Sequence, residues 1–412
     1  MIASADIKEA GTPLPAEPRL KILFVCSSLE PGKDGVGDYT RRLAGELIKR
    51  GHGCAIVAAN DTYLSAVTRE QQEIEGVIIS VLRLPETMER SERANEVRHW
   101  IDHFKPNWVS LQFVLYGLDP KGRGFGLANW LAAMNSHAPW HIMFHELWLG
   151  LGKNSTFKHR LIGAVQHWSV RQILQTLRPR CAHTQTGAYQ IVLGREKIDA
   201  GILPLFSNIP YAPNDGWSRL LVPLIAKANG KSPARESFYL TGVLGAVHGE
   251  WDAQKAMDSL LPLTHKFQKR LVLVFLGKNN LSSQTFDDLK NKFQAHADVV
   301  VAGERSALEI SQILQSLDLG LATSPLQVIQ KSGSAVAMAE HGLPLLVVRD
   351  DWHLRGATPE MPASNFTIFT PAQFAALKTL PTRNPAPVGD QGVRRVAERF
   401  LATLDAANVS RA

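Results

Sequence analysis

The segment Lys21–Ala59 reads KILFVCSSLEPGKDGVGDYTRRLAGELIKRGHGCAIVAA. It opens with an apolar run, Lys21–Cys26, of the kind a buried parallel strand needs. A loop carrying Gly32, Gly35 and Gly37 follows, then a helix predicted over Thr40–Arg50 that Gly51 closes, and a second strand predicted over Cys54–Ala59. Strand, Gly-rich loop, helix, strand is the start of a Rossmann-like parallel sheet. The glycines do not form GxGxxG and the loop is too long, so this is not a dinucleotide fingerprint.

The alternation continues outward. Strands are expected at Val77–Leu82, Trp108–Phe113, His141–His145 and Ala182–Gln185, with helices at Glu92–Phe104 and Thr156–Leu177. Around Asn208–Lys231 the pattern breaks into NIPYAPNDGW and ANGKSPARES, rich in Pro, Gly, Asn and Ser. It then restarts at Phe238–Leu244 and runs through strands at Leu271–Leu276, Val299–Val301 and Leu319–Ala322. The expected organisation is a loose tail over 1–19, a Rossmann-like domain over 20–210 and a linker over 211–235. A second Rossmann-like domain over 236–390 and a final helical segment over 391–412 complete the chain.

Two such domains turn both sets of strand ends toward one cleft, where ligands bind in open α/β sheets. One wall is Glu30–Tyr39, whose Gly35, Val36 and Gly37 permit close backbone approach at a helix start suited to an anion. Another is His145 with Glu146, at the end of an apolar strand; His145 can bind a sugar hydroxyl or move a proton, with Glu146 as its support or a helix cap. The third is SPLQVIQKSGSAVAMAEHGLP, Ser324–Pro344, where Lys331, Ser332, Gly333 and Ser334 run into a short helix that Gly342 and Pro344 end. A helix N-terminus beside a lysine suits a phosphate. His248, after the first strand of the second domain, is a further candidate phosphate contact.

Composition narrows the classes. Among 412 residues 45% are hydrophobic, and the 45 Lys and Arg give a net charge of +7 without long basic runs, so nucleic acid is not implied. Three scattered cysteines, Cys26, Cys54 and Cys181, supply neither a disulfide framework nor a zinc site, and a cytoplasmic setting is the simplest expectation. No apolar run reaches the roughly 20 residues that span a bilayer. No P-loop, HExxH or GxSxG pattern occurs, and no metal or resident cofactor is expected. Around Lys158–Arg178, basic residues interleave with Phe157, Leu161 and Trp168. That pattern fits either a helix with one buried and one solvated face or peripheral contact with a membrane surface.

Taken in order, these features resemble a GT-B glycosyltransferase of the family 4 type over nearly the whole chain from Lys21. The GVG element Gly35–Gly37, the Gly51–His52 turn, the His145–Glu146 pair, the Asn208–Pro210 turn and the late Gly342-Leu343-Pro344 carry the likeness. It implies two facing Rossmann-like domains and a C-terminal helix that folds back on the first. It also implies metal-independent transfer of a sugar from a nucleotide-diphosphate donor to a saccharide, lipid-linked or small-molecule acceptor, with retention, in the cytoplasm or at the inner membrane face. Lys331 with Ser332, Gly333, Ser334 and His248 would hold the diphosphate. Gly35, Val36, Gly37 and His145 would face the sugar and acceptor.

The departures bear on mechanism. The Arg and Lys that such enzymes carry after the first strand of the second domain fall here at Val243 and His248. Their paired glutamates fall at Ile329 and Ala337, leaving Glu340 as the nearby carboxylate for the ribose contact. A nucleotide-sugar epimerase and a non-catalytic nucleotide or carbohydrate binder remain the alternatives, with a nicotinamide oxidoreductase behind them.

Overall fold

The structure is a computed structural model that describes residues 20–135, 137–212, 216–229, 234–247, 251–349, 352–358, 366–384 and 391–409. Its first sheet contains β1 Lys21–Cys26, β2 Gly53–Asp61, β3 Thr68–Ile74, β4 Val77–Pro85, β5 Trp108–Phe113, β6 Trp140–Phe144, β7 Cys181–Thr184 and β8 Ala200–Ile202. The spatial order is β3-β4-β2-β1-β5-β6-β7-β8, parallel except for the β3–β4 pair. The second sheet contains β9 Phe238–Leu244, β10 Arg270–Leu276, β11 Ala297–Gly303, β12 Leu319–Ala322, β13 Leu345–Val347 and β14 Ile368–Phe369, in the order β11-β10-β9-β12-β13-β14. In each sheet the chain leaves the first strand on one side and later returns to its other side. This gives topological switch points at β1/β5 and β9/β12, where crevices open beyond the strand C-termini.

The helices that bear on the cleft and its surroundings include α1 Gly35–Lys49, α2 Phe157–Leu177, α3 Gly333–Glu340 and α4 Gln391–Val409. Val393, Val396, Ala397, Phe400 and Leu404 of α4 are buried in the first domain's core with Phe24, Leu43 and Ile56. A fully buried side chain of this kind contributes about 1.5–3 kcal/mol. The final helix is therefore an integral layer of the first domain, although the second domain precedes it in the chain.

Three differences from the sequence-based expectation have physical reasons. Helix α1 begins at Gly35, well before Thr40, because Asp34 caps it and accepts from Val36 N and Gly37 N. Strand β3, TREQQEI, was not expected: it is a polar edge strand, alternately half-buried and exposed, with no apolar run to announce it. Within the expected linker, helical residues Trp217–Asn229 place Leu221 and Ile225 in the second domain's core.

Candidate functional site

The cleft is built from the strand ends at the switch point of the first sheet. The loop after β1 is held by Asp61, fully buried, which accepts from Ser28 Oγ and Leu29 N and pairs with Arg83 at 2.8 Å; Arg83 in turn binds Glu30 at 2.7 Å. That network fixes the segment leading to Asp34. Asp34 Oδ1 takes the N–H groups of Val36 and Gly37 at 2.9 and 2.8 Å. Burial pushes the Asp34 carboxyl pKa up, with the two backbone hydrogen bonds opposing it. Two of the N–H groups at the α1 N-terminus are thus already taken by a carboxylate, where an anion was expected.

Gly35 and Gly37 have different roles. A Cβ on Gly35 would meet nothing within 4 Å, whereas one on Gly37 would lie 2.5 Å from the Ser28 carbonyl oxygen. Gly37 is required by close packing of α1 on the loop after β1, and it does not line the pocket; Gly35 and Val36 do.

Strand β6 delivers His145 to the cleft floor. Its Nε2 lies 2.9 Å from Gln112 Oε1 and its Nδ1 3.0 Å from Gln185 Nε2, so both ring nitrogens are engaged. The edge of Tyr39 packs against it at 5.1 Å, and Phe206 stacks on Tyr39 at 4.4 Å. Burial, reinforced by the Lys331 charge, lowers the His145 pKa to about 3. His145 is a clamped neutral imidazole, not a base with a free lone pair. The Tyr39 hydroxyl is buried and has no hydrogen-bond partner among the described residues. Glu146, the next residue, is exposed and lines the same pocket.

The opposite wall comes from the second domain. After a 3-10 stretch at Leu326–Lys331, Ser332 caps α3 and accepts from Ala335 N. Ser332 N donates to Ile329 O, leaving the N–H groups of Gly333 and Ser334 as the first-turn donors without an intrahelical acceptor. Ser334 Oγ lies 3.2 Å from Ser332 Oγ. Lys331 reaches across the cleft: its Nζ donates to Tyr189 OH at 2.8 Å and lies 4.9 Å from that ring's centroid. Its described hydrogen-bond partner is a phenol, and among the described residues it forms no ion pair within 4 Å.

Together these residues enclose a cavity of about 360 Å³ lined from both domains. It includes Asp34, Gly35, Tyr39, His145, Lys331 and Gly333, with Lys33 adding a second cation. A depression beside His137, Arg178 and Arg180 lies at the other end of the first sheet, away from these strand ends.

Glu340 is not brought to this cavity. It sits at the far end of α3, about 10 Å along the helix axis from Gly333. Its Oε2 accepts from Ser207 N at 2.9 Å, and a Cβ on Gly392 would come within 2.0 Å of its Oε1. Glu340 thus holds the inter-domain crossing at Ser207 and packs beside Gly392 at the start of α4, and it does not line the cavity where a ribose contact was expected. Ile329 and Ala337 are core residues beside Ala335 and Met338, and Val243 is likewise buried. His248 lies outside the described residues. Among the described residues no cluster of three or more His, Cys, Asp and Glu could hold a metal ion.

Sequence reasoning included Lys33 and Tyr39 only within the Glu30–Tyr39 wall, without a role for either, and missed Tyr189 and the two glutamines that clamp His145. A signal existed for the glutamines: each is a polar residue at the C-terminal end of an apolar parallel strand.

Comparison with known proteins gives the same architecture. Residues 34–190 match the family model described as a glycosyl transferase 4-like domain. No curated protein gives a significant match. Anabaena HepE, solved in complex with UDP and glucose, is 13% identical, with 94% of this chain and 100% of that chain covered and a TM-score of 0.57. Sucrose-phosphate synthase from Thermosynechococcus elongatus is 13% identical, with 96% and 100% covered and a TM-score of 0.53. A glycosyltransferase from Rickettsia africae is 13% identical, with 94% and 97% covered and a TM-score of 0.50. At such identities the structural likeness speaks for the fold. Two parallel-sheet domains around a shared cleft define the GT-B fold. Within that fold, residues 34–190 of the first domain are similar to the glycosyl transferase 4-like domain.

Proposed function

We propose that this protein transfers a sugar, with retention, from a nucleotide-diphosphate sugar to an acceptor hydroxyl. The observation that carries this reading is the Lys331 cation, which lines one wall of the cavity with Gly333 at the start of α3 and faces Gly35 and His145 on the other; Ser332 and Ser334 stand behind that wall and do not line the cavity. In the reaction the bond from the anomeric carbon to the diphosphate oxygen breaks, a bond to the acceptor oxygen forms, and the acceptor's proton passes to the departing diphosphate. Charge grows on the departing diphosphate, where fixed cationic and backbone donors lower the barrier most. Lys331 and the N–H group of Gly333 supply them. On the opposite side Asp34 offers its second carboxylate oxygen as an acceptor for a sugar hydroxyl, His145 packs there with both ring nitrogens already engaged, and the unpartnered Tyr39 hydroxyl adds one donor.

Retention is favoured by how the candidate bases are engaged. Both His145 nitrogens are bonded, and Asp38 pairs with Arg41. Asp34 keeps one carboxylate oxygen outside its cap and has a raised pKa, so an inverting reaction with Asp34 as base is the second reading. The anomeric configuration of the product, read by NMR, separates the two. The test of the whole reading is a thermal-shift panel of UDP-, GDP-, ADP- and dTDP-sugars followed by turnover with acceptors. A ligand at 100 times its Kd should stabilise the fold by about 2.7 kcal/mol. No response to any nucleotide refutes it, conversion of donor without acceptor favours an epimerase, and binding without turnover favours a non-catalytic relative.

The acceptor side supports a membrane-proximal setting at an anionic leaflet. On α2, Phe157 and Trp168 are 81% and 51% exposed, Leu161 lies on the same face, and Phe125 meets Trp168 edge-on at 6.0 Å. The first turn holds Lys158, His159 and Arg160 and no acidic residue. Positive charge at a helix N-terminus opposes the helix dipole, so folding does not favour this arrangement, whereas an anionic surface does. Co-sedimentation with phosphatidylglycerol vesicles that is lost with phosphatidylcholine, and weakened in Trp168→Ser, supports the contact. No difference between the two lipids refutes it. Among the described residues no helix is long and apolar enough to cross a membrane.

A further inference from the structure

Side chains of the same parity on adjacent strands share a face of a sheet. Ser110 and Gln112 on β5, His141 and then His145 along β6, and His183 and Gln185 along β7 therefore all lie on one face, with Ser110 paired to His141 in register. Six polar residues on an apolar sheet require mutual satisfaction, and here they achieve it in a single file. Gln185 Nε2 meets His145 Nδ1 at 3.0 Å, and His145 Nε2 meets Gln112 Oε1 at 2.9 Å. Gln112 Nε2 meets Ser110 Oγ at 2.8 Å, and Ser110 Oγ meets His141 Nδ1 at 2.8 Å. His141 Nε2 meets His183 Nδ1 at 2.9 Å, and His183 Nε2 meets Thr403 Oγ1 at 3.1 Å. Thr403 Oγ1 donates to Arg399 O within α4 at 3.0 Å. A Cβ on Gly201 would come within 2.7 Å of His183, so the neighbouring strand leaves room for this ring.

The donor inventory allows this file two orientations. An amide nitrogen only donates and an amide oxygen only accepts, so with Gln185 Nε2 at one end His145 must accept at Nδ1 and carry its proton on Nε2. Each later group then passes the polarity on: Gln112 donates to Ser110, Ser110 to His141, His141 to His183, and His183 to Thr403. All three histidines are neutral Nε2–H tautomers, and every link has one donor and one acceptor. In the reverse orientation both amides flip and all three histidines become Nδ1–H; intermediate mixtures place two protons or two lone pairs in one link. Burial disfavours a charged ring that would break this rule, lowering the His183 pKa to about 4 and that of His141 well below its usual value.

We propose that this file is a directional relay that holds the cleft histidine His145 in its Nε2–H form, with Thr403 on the returning helix α4 setting the direction. Ser110, Gln112, His141 and His183 are then positioning residues. Thr403 selects the forward state because its own proton goes to Arg399 O, leaving oxygen lone pairs to accept from His183. The docking of α4, which follows the second domain in the chain, is thereby read at a cleft histidine across three strands. The relay depends on the position of His145 in the cleft and not on which reaction occurs there.

The test uses full-length protein labelled with 15N-histidine, with His145 assigned by its loss in His145→Gln. Ring 15N shifts distinguish the tautomers without any turnover. The wild type and Thr403→Ser are expected to show Nε2–H at His145. Thr403→Val removes the terminal acceptor and should move His145 to Nδ1–H, although Thr403 lies outside the cleft. Adding Ser110→Ala cuts the file, so Thr403→Val should then have no effect on His145. Retention of Nε2–H at His145 in folded Thr403→Val overturns the proposal, as does a tautomer change that persists when Ser110 is absent.

Discussion

Replacing Lys331 with alanine separates a ligand-directed cation from an inter-domain latch. The side chain has two described interactions, a 2.8 Å hydrogen bond to Tyr189 OH and a ring contact at 4.9 Å. As a latch it would contribute about 1.5–3 kcal/mol for the charged hydrogen bond and about 0.5–1 kcal/mol or somewhat more for the half-buried cation–π contact. Tyr189→Phe would then remove the larger part. As a contact to a departing diphosphate it would contribute about 2.7–4 kcal/mol of transition-state stabilisation, about 10²–10³ in kcat/KM. The expected result is a loss of that size in Lys331→Ala with Tyr189→Phe within about threefold of wild type, because the phenol engages the lysine only while the diphosphate is absent. Initial rates over a range of donor concentrations give kcat/KM, and urea midpoints report any latch. A Lys331→Ala enzyme within tenfold of wild type, or a Tyr189→Phe enzyme equally impaired, refutes the reasoning.

Three further outcomes follow from single features. Gly37→Ala forces a methyl group to 2.5 Å from a backbone oxygen and should destabilise by about 1–3 kcal/mol, whereas Gly35→Ala, with open space around it, should leave the urea midpoint unchanged and weaken donor or acceptor binding. Glu340→Ala leaves the buried Ser207 N–H without its acceptor and should cost about 1–3 kcal/mol of stability, while the donor Kd stays within about threefold; a large loss of nucleotide affinity at unchanged stability would restore the ribose reading. Burial sets the folded pKa of His145 near 3 and that of His183 near 4, both below the unfolded value of about 6.5, so below that pH the unfolded chain binds more protons. This contribution is complete above about pH 6.5 and is lost as pH falls toward 4, by up to about 1.4 kcal/mol per unit for each histidine. Melting temperature should fall from pH 6.5 to 5, less steeply in His183→Gln, and a flat profile would contradict the assignment.

The two-domain α/β plan was legible because apolar strand runs and the break around Asn208 are local and periodic. His145 was placed at the cleft by its position after such a run, and Lys331 by the capped helix that follows it. What the sequence concealed was direction and partnership. Glu340 is one turn past Ala337 in the chain, yet it points from the C-terminal end of α3, away from the cavity. Asp34 stands three residues before Gly37, the spacing of an N-cap to the N–H it binds, and this marked the α1 start as already occupied. The relay on β5, β6 and β7 was written as Ser110, Gln112, His141 and His183 within otherwise apolar strands. Its connectivity needed the register between strands that are distant in sequence.

The resemblance places a pair of glutamates at Ile329 and Ala337, and what a carboxylate would do at these positions can be tested. Ile329 is 1% exposed and lies in the second domain's core with Ala335, Ala337 and Met338, so its side chain points into the protein and not toward the cavity. A carboxylate there would be desolvated with no described cation beside it, at a cost of several kcal/mol or by taking up a proton. Ile329→Glu should therefore lower the urea midpoint sharply and leave donor affinity no better, and Ala337→Glu should behave alike because its small side chain is enclosed by the same residues. Tighter nucleotide-sugar binding by Ile329→Glu at unchanged stability would show that the 3-10 stretch can turn this position to the cleft. If instead the substitution only destabilises, no single change at these positions restores the glutamate pair. Charge recognition on this wall then falls to Lys331, and hydrogen bonding to the N–H group of Gly333.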